Sequence, residues 1–175
     1  FNSITLKSQL SKHALKTPNV GFIWKNSNPY HEIAVYISTS CKHCQKILQQ
    51  LNFLMEIYTN FNYKIIFDIG FSGTNRDESS ILNYFYFIFL NYGIEKFFNV
   101  LEMWYNIKSK KLSELIKKTD IPLNSNNELF TTAQIEFCRT IQLDYFPAIL
   151  IDGQVLSPMY NYKDLKNILQ FFSVN

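Results

Sequence analysis

A chain of 175 residues with 47% hydrophobic and 17% aromatic content can build a core without disulfide or metal staples, which sets aside disordered and disulfide-scaffolded classes. Its net charge of +3 is small, and the one dense cluster, Lys108, Lys110, Lys111, Lys117 and Lys118, reads as a solvated helix face, not as the aromatic-interleaved basic stripe of a nucleic-acid binder. The longest apolar run, 81–90, covers about half of a membrane helix, so no span is predicted.

In chain order, the pattern predicts a short helix over 3–16, an extended segment over 20–24 and a turn at Asn26-Ser27-Asn28-Pro29. A buried strand follows over 33–37, ending in Ser38-Thr39-Ser40, small hydroxyl residues suited to capping a helix. Ile47, Leu48, Leu51, Leu54, Met55 and Tyr58 then recur at three- and four-residue spacing, predicting a helix over 41–60. A second strand over 63–69 closes at Gly70 and a turn around Ser72-Gly73-Thr74-Asn75. Residues 77–143 hold no good strand and read as helices over 79–92, 94–107, 112–118 and 127–143, broken at Gly93 and around Pro122. A strand over 148–151, a turn at Asp152-Gly153, a returning strand from Val155-Leu156 and an amphipathic helix over 163–172 complete the chain. The sum is α/β: β-α-β, a helical block, then β-β-α, the thioredoxin order with an all-helical insertion between about 77 and 143. One domain over 1–175 is expected, and a start at Phe1 suggests a fragment or excised domain of a longer protein. The abundance of Phe and Tyr reads most simply as compositional drift.

Of three cysteines, two stand three apart in Cys41-Lys42-His43-Cys44, at the junction of a buried strand and a helix. There the first sulfur meets unpaired backbone N–H groups at the positive end of a helix dipole, which favours a thiolate. Cys41 is therefore the expected attacking sulfur and Cys44 the resolving one. Lys42 and His43 can tune the pair by stabilising its reduced form, which makes the disulfide more oxidising. Two alternatives stay open: a zinc site completed by Cys138 and a histidine, and a structural disulfide, which so short a loop makes weakly stabilising. No metal or organic cofactor is required by the redox reading. Pro147 precedes a strand in a position where an ordinary proline is disfavoured. A cis Phe146–Pro147 bond is expected, leaving the Phe146 backbone free to pair with an extended peptide, so both residues are candidates for substrate binding. Cys138 reads as a small buried hydrophobe or as an auxiliary thiol. Asp68, at a strand end, reads as a solvated turn carboxylate or as a proton acceptor.

Strand-CKHC-helix, a helical insertion and then Phe146-Pro147-Ala148-Ile149-Leu150-Ile151-Asp152-Gly153 resemble the DsbA-like branch of the thioredoxin superfamily. Further signals resemble the thioredoxin-like domain fused to vitamin K epoxide reductase-like membrane proteins of Bacteroidetes. These are Met103-Trp104-Tyr105, Phe137-Cys138 and the stretch from Leu156 through Pro158 and Tyr160 to Asp164-Leu165. The resemblance implies an extracytoplasmic, periplasmic or membrane-tethered dithiol protein exchanging disulfides between a quinone-linked membrane partner and secreted protein substrates. Lys42 replaces the usual Pro or Gly, Phe146 the usual Thr or Val, and Val35 the buried acid of thioredoxins. A rival reading is a binding or adaptor module of a membrane or peptide-export system, in which the cysteines do not turn over.

Overall fold

The structure, a computed structural model, describes residues 20–69, 76–123, 128–141 and 143–174. The expected helix over 3–16 and the turn around Ser72-Gly73-Thr74-Asn75 lie outside them. Five strands form the sheet: β1 (Phe22–Trp24), β2 (His31–Ser38), β3 (Phe61–Asp68), β4 (Ala148–Ile151) and β5 (Gln154–Val155). Among the described residues five helices accompany them: α1 (Lys42–Ile57), α2 (Arg76–Asn106), α3 (Leu112–Thr119), α4 (Glu128–Thr140) and α5 (Leu165–Val174). The strand order is β1-β3-β2-β4-β5, with β2 and β3 parallel and the other neighbours antiparallel.

β2 is buried on both faces, so residues 33–37 form a continuous apolar run rather than an alternating one, whereas β3 carries Asn62 and Lys64 in its first half. Ile33, Val35 and Ile37 join one core with Leu48, Leu51, Leu165 and Leu169, which places α1 and α5 on that face. Ala34, Tyr36 and Ile66 join a second core with Phe137 and Cys138 of α4 and Ile141 just beyond it. The sheet therefore lies between two apolar layers, the arrangement a strand buried on both faces demands. Because β4 runs antiparallel to β2 with Ala148 opposite Tyr36, the chain just before β4 arrives at the same sheet end where β2 delivers Cys41. That register fixes the position of the site. The topology is the thioredoxin order, with α2, α3 and α4 inserted between β3 and β4.

The extended segment near residue 20 proves to be an edge strand, β1, pairing antiparallel with β3 through Phe22 and Ile65. It was not counted in the β-α-β order above because three residues carry no periodicity. The aromatic residues are used, not merely tolerated. Phe22 meets Phe97 with ring centroids 4.7 Å apart, Phe130 at 5.2 Å and Phe67 at 5.6 Å, so one aromatic cluster ties the sheet edge to the insertion. Within α2, Gly93 leaves the helical region (φ 78°, ψ −179°), dividing the span into the two helices the sequence predicts. The last helix begins two residues later than expected, with Leu165, Ile168, Leu169 and Phe172 facing inward as its spacing requires.

Gly21 shows how tightly β1 is seated. It has φ 85°, and a Cβ there would stand 2.4 Å from the Ile65 carbonyl oxygen. Backbone strain and overlap add, so Gly21→Ala is expected to cost about 2–4 kcal/mol, read as a lower denaturant midpoint.

Candidate functional site

Cys41 occupies the N-cap of α1, with extended backbone (φ −86°, ψ 115°) and no side-chain cap. The serines expected to cap the helix do not. The Ser38 hydroxyl instead meets the Ser40 hydroxyl at 3.1 Å, and the Cys41 N–H donates to the Ser38 carbonyl at 3.4 Å. The helix start is thus left with N–H groups facing the Cys41 end and no competing side-chain oxygen, a setting that favours negative charge. Cys44 lies one turn on, its N–H donating to the Cys41 carbonyl at 3.1 Å, and is fully buried. Burial, then its contact with Cys41, push the Cys44 thiol far above the usual thiol range. Cys41 is half-buried and accessible, and both thiols are free. The two sulfurs are therefore chemically unequal.

The Phe146–Pro147 peptide bond is cis. The Phe146 carbonyl accepts the Cys41 thiol at 3.9 Å, which brings the segment before β4 directly against the first cysteine across 105 residues of sequence. Beneath it, the Tyr36 ring packs on Phe146 with centroids 5.4 Å apart. The Tyr36 hydroxyl donates to the Asp68 carboxylate at 2.6 Å. Asp68, partly exposed at the end of β3, thus anchors a tyrosine. Burial first, and the Asp68 bond second, hold the Tyr36 phenol well above its ordinary range.

Lys42 and His43 are both exposed. Lys110, read above as part of a solvated face, is turned inward instead. Its Nζ donates to the Trp104 and Tyr105 carbonyls at 2.8 and 3.0 Å and lies over both rings. These carbonyls end α2, where a cation is favoured. Partial burial, then the nearby Lys42 charge, lower the Lys110 ammonium below the usual lysine range. Trp104 Nε1 in turn donates to the Thr39 carbonyl at 2.9 Å, and the Tyr105 hydroxyl to the Ser38 carbonyl at 2.8 Å. The insertion thereby grips the loop that presents Cys41. Burial, then the charges of Cys44 and Cys41, hold the Tyr105 phenol well above its ordinary range.

Trp104, Tyr105 and Lys110 were not identified as site residues from sequence. The Trp-Tyr pair served only as a family signal, and nothing in the pattern separates Lys110 from its solvated neighbours. Val35 is fully buried, in the same core as Cys44. Cys138 lies on the opposite face of the sheet from Cys44, donating to the Phe67 carbonyl at 3.3 Å beside Gln134, and burial raises its thiol above the usual range. The fold does not bring it to the tetrapeptide.

These features define a thioredoxin-fold protein whose paired cysteines face a cis-proline loop at one end of the sheet. No protein-family model matches the chain, and no curated protein matches it. Solved structures do. A periplasmic thioredoxin-like protein from Salmonella enterica serovar Typhimurium superposes with a TM-score of 0.68 at 10% identity, covering 100% of this chain and 99% of that one. The catalytic domain of ScsC from Proteus mirabilis gives 0.65 at 15% identity, covering 97% and 95%. The thiol-disulfide exchange protein α-DsbA2 from Wolbachia pipientis gives 0.59 at 13% identity, covering 88% and 87%. At these identities the likeness is one of fold.

Proposed function

We propose that the chain is a protein thiol-disulfide oxidoreductase working through Cys41 and Cys44, in the oxidising more than the reducing direction. The observation that carries the reading is the inequality of the two sulfurs: Cys41 at an uncapped helix start beside the Phe146 carbonyl, Cys44 buried one turn below. In the oxidised protein, a substrate thiolate attacks Cys41 Sγ. The Cys41–Cys44 bond breaks, a mixed disulfide forms, and Cys44 leaves as a thiolate that takes up a proton. A second thiolate of the same substrate then attacks the substrate sulfur of the mixed disulfide, forming the substrate disulfide and releasing Cys41 as a thiolate. Two electrons pass from the substrate dithiol to the pair, and the substrate gains a disulfide. Lys42 and the helix start favour the negative charge on Cys41 and so favour this direction. Phe146 and Pro147 are proposed to hold the substrate segment.

The signals shared with the domain fused to vitamin K epoxide reductase-like proteins favour a quinone-linked membrane protein as the re-oxidising partner, and a site of action outside the cytoplasm. Among the described residues no helix is long and apolar enough to cross a membrane, so such a partner would supply the membrane element. The structural neighbours named above, one a periplasmic thioredoxin-like protein and another a thiol-disulfide exchange protein, are in keeping with this reading.

The test is equilibration of the pair with glutathione together with trapping. A potential near about −120 to −200 mV is expected, and a value near about −270 mV or below makes the protein a reductase instead. Cys44→Ser is expected to accumulate a mixed disulfide between Cys41 and substrate on non-reducing gels. Because burial keeps Cys44 protonated and alkylation requires thiolate, brief iodoacetamide treatment of the reduced protein near neutral pH is expected to label Cys41 at least about tenfold faster than Cys44, read by peptide mass mapping.

A further inference from the structure

Beside the paired cysteines lies an open groove of about 460 Å³. One end is formed by Phe146 and Pro147, and therefore abuts Cys41. Tyr160 and Tyr162, from the segment between β5 and α5, supply aromatic wall. The rim is cationic. Lys46, on the outer face of α1, and Lys163 hold their Nζ atoms 5.4 and 6.0 Å from the centre of the Tyr162 ring, one from each side of the groove in sequence. Each ammonium is thus placed against a ring rather than a carboxylate. The described residues place no carboxylate oxygen within 4 Å of either lysine, and no acidic residue lines the groove. The adjacent acid, Asp164, accepts the Asn161 N–H at 3.0 Å. His43, within the tetrapeptide, completes the lining.

An aromatic wall under two unneutralised ammoniums is complementary to an apolar segment carrying a negative charge. We infer that the groove selects protein substrates in which the reacting cysteine is flanked, within a few residues, by an Asp or Glu set among apolar side chains. The inference deepens the oxidoreductase reading and rests on it for the identity of the occupant. The carboxylate sits between Lys46 and Lys163 while its apolar neighbours cover Tyr160 and Tyr162. Exposed ion pairs are individually weak, so the discrimination is one of preference, and it is screened by salt.

The binding test uses redox-inert peptides, identical except that Ser replaces the cysteine and the flanking residue is Glu, Gln or Lys. Fluorescence anisotropy on the reduced wild-type protein at low ionic strength is expected to give about tenfold tighter binding for Glu than for Lys, with Gln between them. The preference should fall below about twofold near 1 M salt. The double variant Lys46→Glu/Lys163→Glu is expected to reverse the order, and circular dichroism checks that it is folded. Equal binding of the Glu and Lys peptides at low salt overturns the inference, as does an unchanged order in the folded double variant. Turnover of the uncharged 2-hydroxyethyl disulfide by wild-type protein is measured in parallel. Its absence counts against the oxidoreductase reading alone, because peptide binding is read without any redox step.

Discussion

Cys41→Ser is expected to slow disulfide transfer to a reduced protein substrate by at least about 10³-fold, which removes more than about 4 kcal/mol of transition-state stabilisation. A serine oxygen cannot enter a disulfide, so neither the mixed nor the internal bond can form. The loss should come without loss of fold. Cys41 is half-buried at a helix start, its sulfur makes one long contact to the Phe146 carbonyl, and serine is nearly isosteric. Stability is expected to stay within about 0.5 kcal/mol of wild type. Cys44→Ser behaves differently, because it puts a hydroxyl into a fully buried site and is expected to cost about 1–3 kcal/mol. Single-turnover exchange and thermal melting on both variants separate the two roles. Retention of full exchange by Cys41→Ser removes the proposed chemistry from this site.

The contrast between the two cysteines was legible in the sequence because it depends on local features, a buried strand running into an amphipathic helix with a three-residue spacing between sulfurs. The cis-proline loop was legible only together with them: Pro147 before a strand would by itself be expected trans, and the CxxC strand-helix upstream makes cis the expectation. What holds these pieces in register was not. Trp104 and Tyr105 act across more than 60 residues of chain, and Lys110 braces the end of their helix, all through backbone carbonyls whose positions no side-chain pattern records. Lys110 has positive φ (52°), a local conformation that turns it back under α2, while Lys108, Lys111, Lys117 and Lys118 stay exposed. The bond that Asp68 makes was hidden on the same grounds. A carboxylate at a strand end looks solvated until the tyrosine on the neighbouring strand, Tyr36 in β2, is found to reach it. β1 went uncounted in the predicted order because its evidence is an aromatic cluster with helices 60 to 110 residues away. Pairwise packing of that kind leaves no periodic trace in a three-residue strand.

The grip of the insertion on the Cys41 loop carries the second large expectation. Trp104 is 2% exposed, packs edge-on against Phe85 with centroids 6.1 Å apart, and bonds the Thr39 carbonyl. Trp104→Ala empties the largest buried side chain and is expected to destabilise the protein by about 3–5 kcal/mol, seen in chemical denaturation. Trp104→Phe keeps most of the packing but orphans the Thr39 carbonyl, at about 1–3 kcal/mol. If the contact merely stabilises the fold, the redox pair should not notice the loss. If it positions Cys41 over the start of α1, the equilibrium constant of the pair against glutathione should shift by about threefold or more, with Tyr105→Phe shifting it in the same sense through the Ser38 carbonyl. Tyr84→Phe is the matched control. It deletes a buried hydroxyl bonded to Thr119 and the Ile121 carbonyl, deep in the insertion and away from the cysteines, at a similar stability cost. A shift in Trp104→Phe and Tyr105→Phe that is absent in Tyr84→Phe identifies the two as positioning residues. Equal behaviour of all three returns the Trp-Tyr pair to the core.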